Sequence, residues 1–480
     1  MTGQHQNAGI LPFYAIGTHT MSKRSGPARG LIQSMDVTFY TLGCKVNQYE
    51  TQAMIAQFKN AGFTVVEPGQ PAQVLVVNSC TVTATGDKKS RNRLARFRRE
   101  NPHGLVVLTG CYPQAFPDKA AGSGADIITG TANKGQIVEL VLDELARRGV
   151  GAGSSALPVL PTDEPVHSTI AITPYTGHDR FEPMQVKRFE GKTRAFVKVQ
   201  DGCDRFCSYC IIPVARGRVR SKALADITSE LAALAQNGYR EVVLVGINLP
   251  CYGKDTGRRL VDALETACAV DGIERVRLGS LEPELLTDED LRRMAAQPKF
   301  CPQFHLSLQS GCDNTLRRMN RHYTAAEYAD IVRRIRTQFP GAAITTDVIV
   351  GFPGETEEDF LTTLAFVQKI AFSRVHVFTY SRREGTRAAA MPDQIPKKVK
   401  EERGARLTAA VGTLHRQFCA QQVGSTQSVL LERQVDPDTF EGYTKNYTQV
   451  LVTGSGLAAG QIREVLITGI SGDYCTGQAR

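Results

Sequence analysis

Three cysteines lie within eight positions, in the run Asp201-Gly-Cys-Asp-Arg-Phe-Cys-Ser-Tyr-Cys210, with the spacing C-x3-C-x2-C and no fourth cysteine close by. Three thiolates on one tight loop can hold three irons of a 4Fe–4S cluster and leave the fourth open to a small molecule. Such a site can do chemistry as well as carry electrons. A structural zinc site normally closes with four ligands, yet residues 211–240 contain no histidine. A disulfide framework suits small secreted chains, whereas this chain has 480 residues and no evident signal peptide. Inert buried cysteine fits one such residue well and three in eight positions poorly.

A second trio is scattered. Cys44 ends Val37-Thr-Phe-Tyr-Thr-Leu-Gly-Cys44, Cys80 ends Val74-Leu-Val-Val-Asn-Ser-Cys80 and Cys111 ends Leu105-Val-Val-Leu-Thr-Gly-Cys111. Each closes a run that reads as a buried strand, with helices expected at about 49–61, 88–100 and 116–121. Strand–helix alternation makes the sheet parallel, so the three strand ends share one edge and the thiols can meet there. For each cysteine alone, ordinary packing at a strand end is the competing reading.

The elements that must position these residues follow from the pattern of the chain. Six β runs, at 196–199, 241–245, 275–278, 303–308, 344–350 and 374–378, alternate with helical, charge-rich stretches such as 223–237 and 325–338. Six β–α units in series imply parallel strands inside helices, as an open partial barrel. In such folds function gathers at the C-terminal strand ends, and Cys203 begins just beyond the first strand. The fold class expected is therefore α/β: an N-terminal parallel-sheet domain over 35–148, a linker rich in Gly, Ser and Pro over 149–188, a partial (β/α)6 barrel over 189–420, and a small β barrel over 421–475 built from strands at 427–432, 439–452 and 461–468. Residues 1–34 read as a disordered extension, or as a misassigned start with Met35 the true first residue. No apolar run approaches the ~20 residues needed to span a bilayer, and free thiols fit a reducing cytoplasm. The net charge of +9 (57 basic against 48 acidic residues) is a modest sign of a polyanionic partner.

The C-x3-C-x2-C loop, with the aromatic Tyr209 just before its last cysteine, resembles that of the radical S-adenosylmethionine enzymes. The resemblance implies that the open iron binds S-adenosyl-L-methionine and that its reductive cleavage releases a 5′-deoxyadenosyl radical. It also implies cofactor contacts at the other strand ends. Gly246 would admit the cofactor's amino group, with Asn248 beside it; Gln309 follows the fourth strand; Gly351, in Gly351-Phe-Pro-Gly-Glu355, would help cradle the adenine or ribose.

Longer motifs narrow the family. Thr41-Leu-Gly-Cys-Lys-Val-Asn-Gln-Tyr-Glu50, Val77-Asn-Ser-Cys-Thr-Val-Thr83, Leu108-Thr-Gly-Cys-Tyr-Pro-Gln114, Ile212-Pro-Val-Ala-Arg-Gly-Arg218, His305-Leu-Ser-Leu-Gln-Ser-Gly311 and Asp347-Val-Ile-Val-Gly-Phe-Pro-Gly-Glu355 resemble the signature of the methylthiotransferases. The likeness runs from about residue 36 to 475. It implies two 4Fe–4S clusters, the second on Cys44, Cys80 and Cys111, and insertion of sulfur at C2 of an adenine followed or preceded by methylation. The Cys-Lys-Val-Asn-Gln-Tyr-Glu form is most similar to enzymes acting on N6-threonylcarbamoyladenosine in tRNA. Relatives acting on isopentenyladenosine or on a ribosomal-protein aspartate are the alternatives. Implied partners are the tRNA anticodon stem-loop, an electron donor such as flavodoxin or ferredoxin, and a sulfur source, with no membrane.

The tail resembles the TRAM module, and Phe440-Glu-Gly-Tyr-Thr-Lys-Asn-Tyr447 mixes aromatic and polar groups suited to RNA. Three basic groups point the same way: seven charges in Lys88–Arg99; Arg216, Arg218 and Arg220; and Arg317, Arg318 and Arg321. Cys251 and Cys312 stand where the family more often has small or hydroxyl residues. Cys268, Cys301, Cys419 and Cys475 read as packing or surface residues. A non-catalytic iron–sulfur RNA-binding protein or redox sensor is the reading from another class; it explains the cysteines and charge but not six strand-end motifs around an open cluster.

Overall fold

The computed structural model describes residues 35–149 and 168–480; the expected N-terminal extension and most of the Gly/Ser/Pro stretch lie outside them. Apolar runs make the first sheet. Val74–Ser79 (β3) and Leu105–Gly110 (β4) are buried at every position, as continuous hydrophobic strands covered on both faces must be. They occupy the middle of a parallel six-stranded sheet with Asp36–Thr41 (β1), Thr64–Val66 (β2), Ile127–Thr129 (β5) and Thr169–Ala171 (β6), in the order β2-β1-β3-β4-β5-β6. Helices Lys45–Asn60 and Ala84–Glu100 follow β1 and β3. Each begins several residues earlier than periodicity alone implies: the first starts directly after Cys44, and the second is capped by Thr83, which accepts from the Gly86 N–H.

The stretch expected as linker is a packed part of the molecule from residue 168 onward. β6 pairs with β5, and Met184, Val186 and Phe189 are buried. Their apolar side chains, spaced among charges, hold the segment against the core.

All six central strands form where the periodicity places them: Arg194–Lys198 (β7), Glu241–Val245 (β10), Arg275–Leu278 (β11), Gln303–Leu306 (β13), Ala343–Val350 (β14) and Arg374–Thr379 (β15). Every pairing is parallel. The wall is split into β7, β10, β11 and a second section containing the two-residue strand Ser280–Leu281 (β12), joined by a bridge between Val276 and Phe300. Two further short strands, Gln200–Asp201 (β8) and Arg220–Ser221 (β9), pair antiparallel and tie off the base of the cysteine loop.

One hydrophobic core runs through both α/β units, from Val37 and Tyr49 to Leu407. Helix Lys397–Ala420 leads into a closed barrel of five strands: Thr426–Asp436 (β16), Thr439–Thr444 (β17), Gln449–Thr453 (β18), Ile462–Ser471 (β19) and Tyr474–Ala479 (β20). The run expected as one strand over 439–452 is broken by a turn at Tyr447, whose φ is +68°. The last strand passes the expected boundary at 475, because pairing with β18 and β19 closes the barrel.

Candidate active site

The cysteine loop is fixed from several sides. The Cys203 N–H donates to the Gly217 carbonyl (3.0 Å), and Cys210 N–H closes a turn on Cys207 O (3.0 Å). Ser208 donates through its N–H to Met319 O (2.9 Å) and through its hydroxyl to Arg318 O (2.8 Å). Asn248 Nδ2 lies 3.6 Å from Cys203 Sγ, and Arg321 Nη1 donates to Cys207 Sγ at 3.3 Å. Burial first, then the neighbouring Cys207, pushes the Cys210 thiol up to about 12; burial also raises Cys203. Among the described residues no three His, Cys, Asp or Glu side chains converge to share a single ion. A cubane cluster places each thiolate on a different iron, so its ligands need no common point.

The second trio is assembled by close approach of strand ends. Gly43 and Gly110, each preceding a cysteine, adopt φ of +101° and +103°. A Cβ on Gly43 would stand 2.7 Å from Cys80 Cβ, and one on Gly110 2.5 Å from Ser79 O. Only glycine allows both the dihedral and the approach. Cys44 is exposed, Cys80 half-buried and Cys111 buried. The Cys80 thiol is pushed up to about 12 by burial and then by Cys111, with a smaller push from Cys44. Burial likewise raises the Cys111 thiol, against the lowering pull of Arg216 and Lys134.

One space borders Cys210 of the first trio and the turn that follows Cys80. A cavity of about 260 Å³ is lined by Tyr209, Cys210 and Ile212 of the loop, by Gln309, Asp347, Ile349, Phe378 and Tyr380 at the strand ends, and by Val82 and Thr83, just beyond Cys80. Val82 and Phe378 remain 56% and 49% exposed, an apolar rim on this cavity. Tyr209 packs edge-on against Phe352 (6.3 Å between centroids). Asn248 Oδ1 and the Tyr380 hydroxyl are buried without a partner. An unmet buried polar atom costs about 1–3 kcal/mol, so these two atoms fit donors or acceptors of a bound group.

Other expected contacts differ. The space where a Gly246 Cβ would sit is filled by Gln200, with Oε1 2.8 Å away; Gln200 in turn accepts from Asn248 N–H at 2.8 Å. The Gly351 N–H is taken by Glu355 (3.0 Å), which Arg403 pairs at 2.8 Å, and Lys400 fills the space beside its Cα. Gly246 and Gly351 are thus both closely packed at the strand ends. Cys312 donates to Asp359 Oδ1 at 3.1 Å, a bond a serine could also make. Cys251, Cys268, Cys301, Cys419 and Cys475 are all buried.

A buried network joins the domains, and periodicity alone does not reveal it. Glu50 accepts from Arg216 Nη1 (2.7 Å) and Lys198 (2.8 Å) and pairs with Lys134. Asp201 accepts from Lys198 (2.8 Å) and Arg216 (3.1 Å). Burial opposes ionisation of Glu50, but Arg216, Lys134 and Lys198 outweigh it and hold its carboxyl well below the usual range. Tyr49 donates to Glu230 (2.9 Å), which Lys222 also pairs. The signal in the sequence is Asn47 and Glu50 lying on the buried face of helix Lys45–Asn60 beside Val46, Ala53 and Met54. The basic groups expected to meet RNA are divided by this network: Arg216 and Arg220 are buried, Arg321 is bound to Glu282, and Arg218 and Arg317 remain exposed.

The aromatic segment of the barrel is also committed. Tyr443 and Tyr447 stack at 4.8 Å and 23°. Arg194 lies over both rings (4.9 Å each) and Arg277 over Tyr447 (4.7 Å). Arg275 and Arg277 donate to the carbonyls of Tyr443 (3.1 Å) and Lys445 (2.8 Å). The barrel therefore docks at the N-terminal mouth of the central strands, opposite the cysteine loop.

Two family models match: the radical SAM superfamily over residues 197–367, and an uncharacterized protein family, UPF0004, over 36–130. Threonylcarbamoyladenosine tRNA methylthiotransferase MtaB of Bacillus subtilis (strain 168) is 38% identical over 92% of this chain and 96% of its own length. The chain belongs to the radical SAM methylthiotransferase family. Another relative in that family, tRNA-2-methylthio-N(6)-dimethylallyladenosine synthase of Pelotomaculum thermopropionicum, is 34% identical over 91% of this chain and 95% of its own. Among solved structures, the radical S-adenosylmethionine methyltransferase TsrM from Kitasatospora setae aligns with a TM-score of 0.50 over 72% of this chain and 73% of that one, at 15% identity, a likeness of fold. As a radical SAM methylthiotransferase the protein uses S-adenosylmethionine and a 4Fe–4S cluster. No helix among the described residues is long and apolar enough to cross a membrane.

Proposed function

We propose that the protein transfers a methylthio group to C2 of N6-threonylcarbamoyladenosine beside the anticodon of tRNA. The observation that carries this reading is the single cavity bordered by Cys210 on one side and by the residues after Cys80 on the other. Cys203, Cys207 and Cys210 would hold the cluster that binds S-adenosylmethionine, and Cys44, Cys80 and Cys111 a second one. When bound, these groups supply one-electron cleavage of a sulfonium and a sulfur for the substrate carbon. An adenine C2–H has no useful acidity, so acid–base catalysis by side chains cannot replace them.

The chain's own residues bind and orient. Asn248 Oδ1 and the Tyr380 hydroxyl are available to bound polar groups. Arg321 neutralises Glu282 while donating to Cys207. The apolar rim of Val82 and Phe378 suits the face of a nucleobase turned out of its loop. An electron donor such as flavodoxin or ferredoxin, a sulfur source and a cytoplasmic setting complete the reading.

The choice of nucleoside rests on the named relatives, because Asn47, Tyr49 and Glu50 of the discriminating motif are spent on the domain network. The second reading, methylthiolation of dimethylallyl-adenosine, is favoured by relatives of that name at similar coverage. Nucleoside mass spectrometry of tRNA from a deletion strain separates them: loss of the methylthio group from threonylcarbamoyladenosine alone is expected, and loss from the isopentenyl nucleoside alone would overturn the choice. For the chemistry, anaerobically reconstituted protein should hold about eight irons. Cys203→Ala should abolish 5′-deoxyadenosine formation, whereas Cys80→Ala should leave it intact and stop sulfur insertion. If both variants lost only the same step, the division into two sites would be wrong.

A further inference from the structure

Arg216 ends the short helix Ile212–Arg216 that follows the first cysteine loop, yet its guanidinium is fully buried against the N-terminal domain. Its Nε–H donates to Cys111 Sγ at 3.3 Å. Nη1 donates to Glu50 (2.7 Å) and Asp201 (3.1 Å), and Nη2 to Asn47 (2.7 Å) and Glu50 (3.0 Å). This fan of fixed donors is what a guanidinium provides and an ammonium does not. One residue of the central domain thus touches a thiol of the second trio directly.

The charges around it do not balance. Among the described residues, the carboxylates of Glu50 and Asp201 face four bases within 4.0 Å: Lys134, Lys198, Arg216 and Arg220. Glu182 flanks Lys134 and Lys198 without an ion pair to either, and counting it still leaves the bases ahead. An unpaired buried charge is costly. A thiolate-bound cluster is anionic, and the one side chain of this group that reaches a cysteine is a cation. The excess positive charge is therefore matched by what Cys44, Cys80 and Cys111 would carry when loaded.

We propose that Arg216 is a positioning residue for the second site: it holds Cys111 as a thiolate ligand from across the domain boundary and raises the reduction potential of the group bound there. This rests on the second-cluster reading given above. The physical basis is that hydrogen bonds to ligand sulfur and nearby positive charge both favour the more negative, reduced state. The consequence is a difference between the two sites. At the first, the Arg321 cation beside Cys207 is neutralised by Glu282; at the second, the cation beside Cys111 sits within a positive surplus.

The test uses the full chain carrying Cys203→Ala, Cys207→Ala and Cys210→Ala, reconstituted anaerobically with iron and sulfide, so that only the second site loads. Midpoint potentials are read by titration against one-electron mediators with electron paramagnetic resonance. Arg216→Gln should keep four irons and shift the equilibrium with a mediator about tenfold toward oxidation, ~59 mV for a one-electron couple. Glu50→Gln, which deepens the positive surplus, should shift it the opposite way. If Arg216→Gln lacks a cooperative thermal transition, Lys134→Met takes its place with the same expected sign. Unchanged midpoints in the folded variants would overturn the proposal while leaving two clusters standing. A triple-cysteine parent that binds no iron would instead remove the second cluster and the proposal with it.

Discussion

Gly246 follows β10 at the strand end, a place where a missing side chain reads as room for a ligand. The room is taken by Gln200, whose Cβ would lie 2.9 Å from an added methyl. Gly246→Ala should therefore destabilise the fold by roughly 1–3 kcal/mol through overpacking, measured by denaturant unfolding. A Gly246→Ala variant that unfolds like the parent yet binds S-adenosylmethionine more weakly would show a ligand role for the glycine instead. The six cysteines are the opposite case. Their types, spacing and topological positions state where thiols can gather, because a parallel sheet brings the ends of its strands to one edge. Arg216 and Arg321 lie between these extremes: both were legible as charge but not as partners, since a linear sequence does not show which cation is turned inward to meet Glu50 or Glu282.

Among the elements, all six central strands and the three N-terminal strands that end at cysteines were legible, because buried runs and helical periodicity recur along the chain. Strands β2 and β6, the two edges of the N-terminal sheet, were not. They are short or edge-like and gain their conformation from pairing partners far away in sequence, as β6 does from β5. Helix Glu357–Ile370 shows local instruction of another kind. Thr356 accepts from the Asp359 N–H (3.0 Å), and Asp359 accepts in return from the Thr356 N–H (3.1 Å). Burial opposes ionisation of Asp359, but the Thr356 N–H, the Cys312 thiol and Arg318 outweigh it and hold the carboxyl at about 2. The folded value lies below the ordinary value of about 3.9. The cap's contribution is thus complete above about pH 4 and fades as pH falls toward 2. Thermal melts between pH 5 and 2.5 should show this acid limb in the parent, and a flatter one in Asp359→Asn. A Cys312→Ser variant should melt like the parent, because a hydroxyl can donate to the same oxygen.

At the scale of the molecule, the surfaces left for RNA differ from those implied by basic runs. On helix Ala84–Glu100, Lys88, Lys89, Arg91 and Arg99 are exposed, while Arg98 is tied to Asp126 (2.6 Å) and Arg93 lies over the Tyr40 ring (5.0 Å). Replacing Lys88, Lys89, Arg91 and Arg99 by Ala should weaken tRNA binding and reduce its salt slope by roughly 0.7–0.9 for each phosphate no longer neutralised; an unchanged slope in filter-binding titrations would remove this helix from the interface. Tyr447→Ala should act differently. It deletes a stacked ring and two cation–π interactions at the barrel's dock, at a cost of about 2 kcal/mol or more. Faster proteolysis near residues 421–426 is expected, with the salt slope of tRNA binding retained.

The buried network between the domains carries a lesson for anyone who would build hybrids of these enzymes. Asn47, Tyr49, Glu50 and Lys134 come from one side of the seam, and Lys198, Asp201, Arg216, Lys222 and Glu230 from the other. Half of such a set is worse than none, because each orphaned member becomes a lone charge in a dry interior. Exchange of the first domain between relatives is therefore an all-or-nothing transplant: donor and recipient must match at every one of these positions, or the graft must carry its counterparts with it.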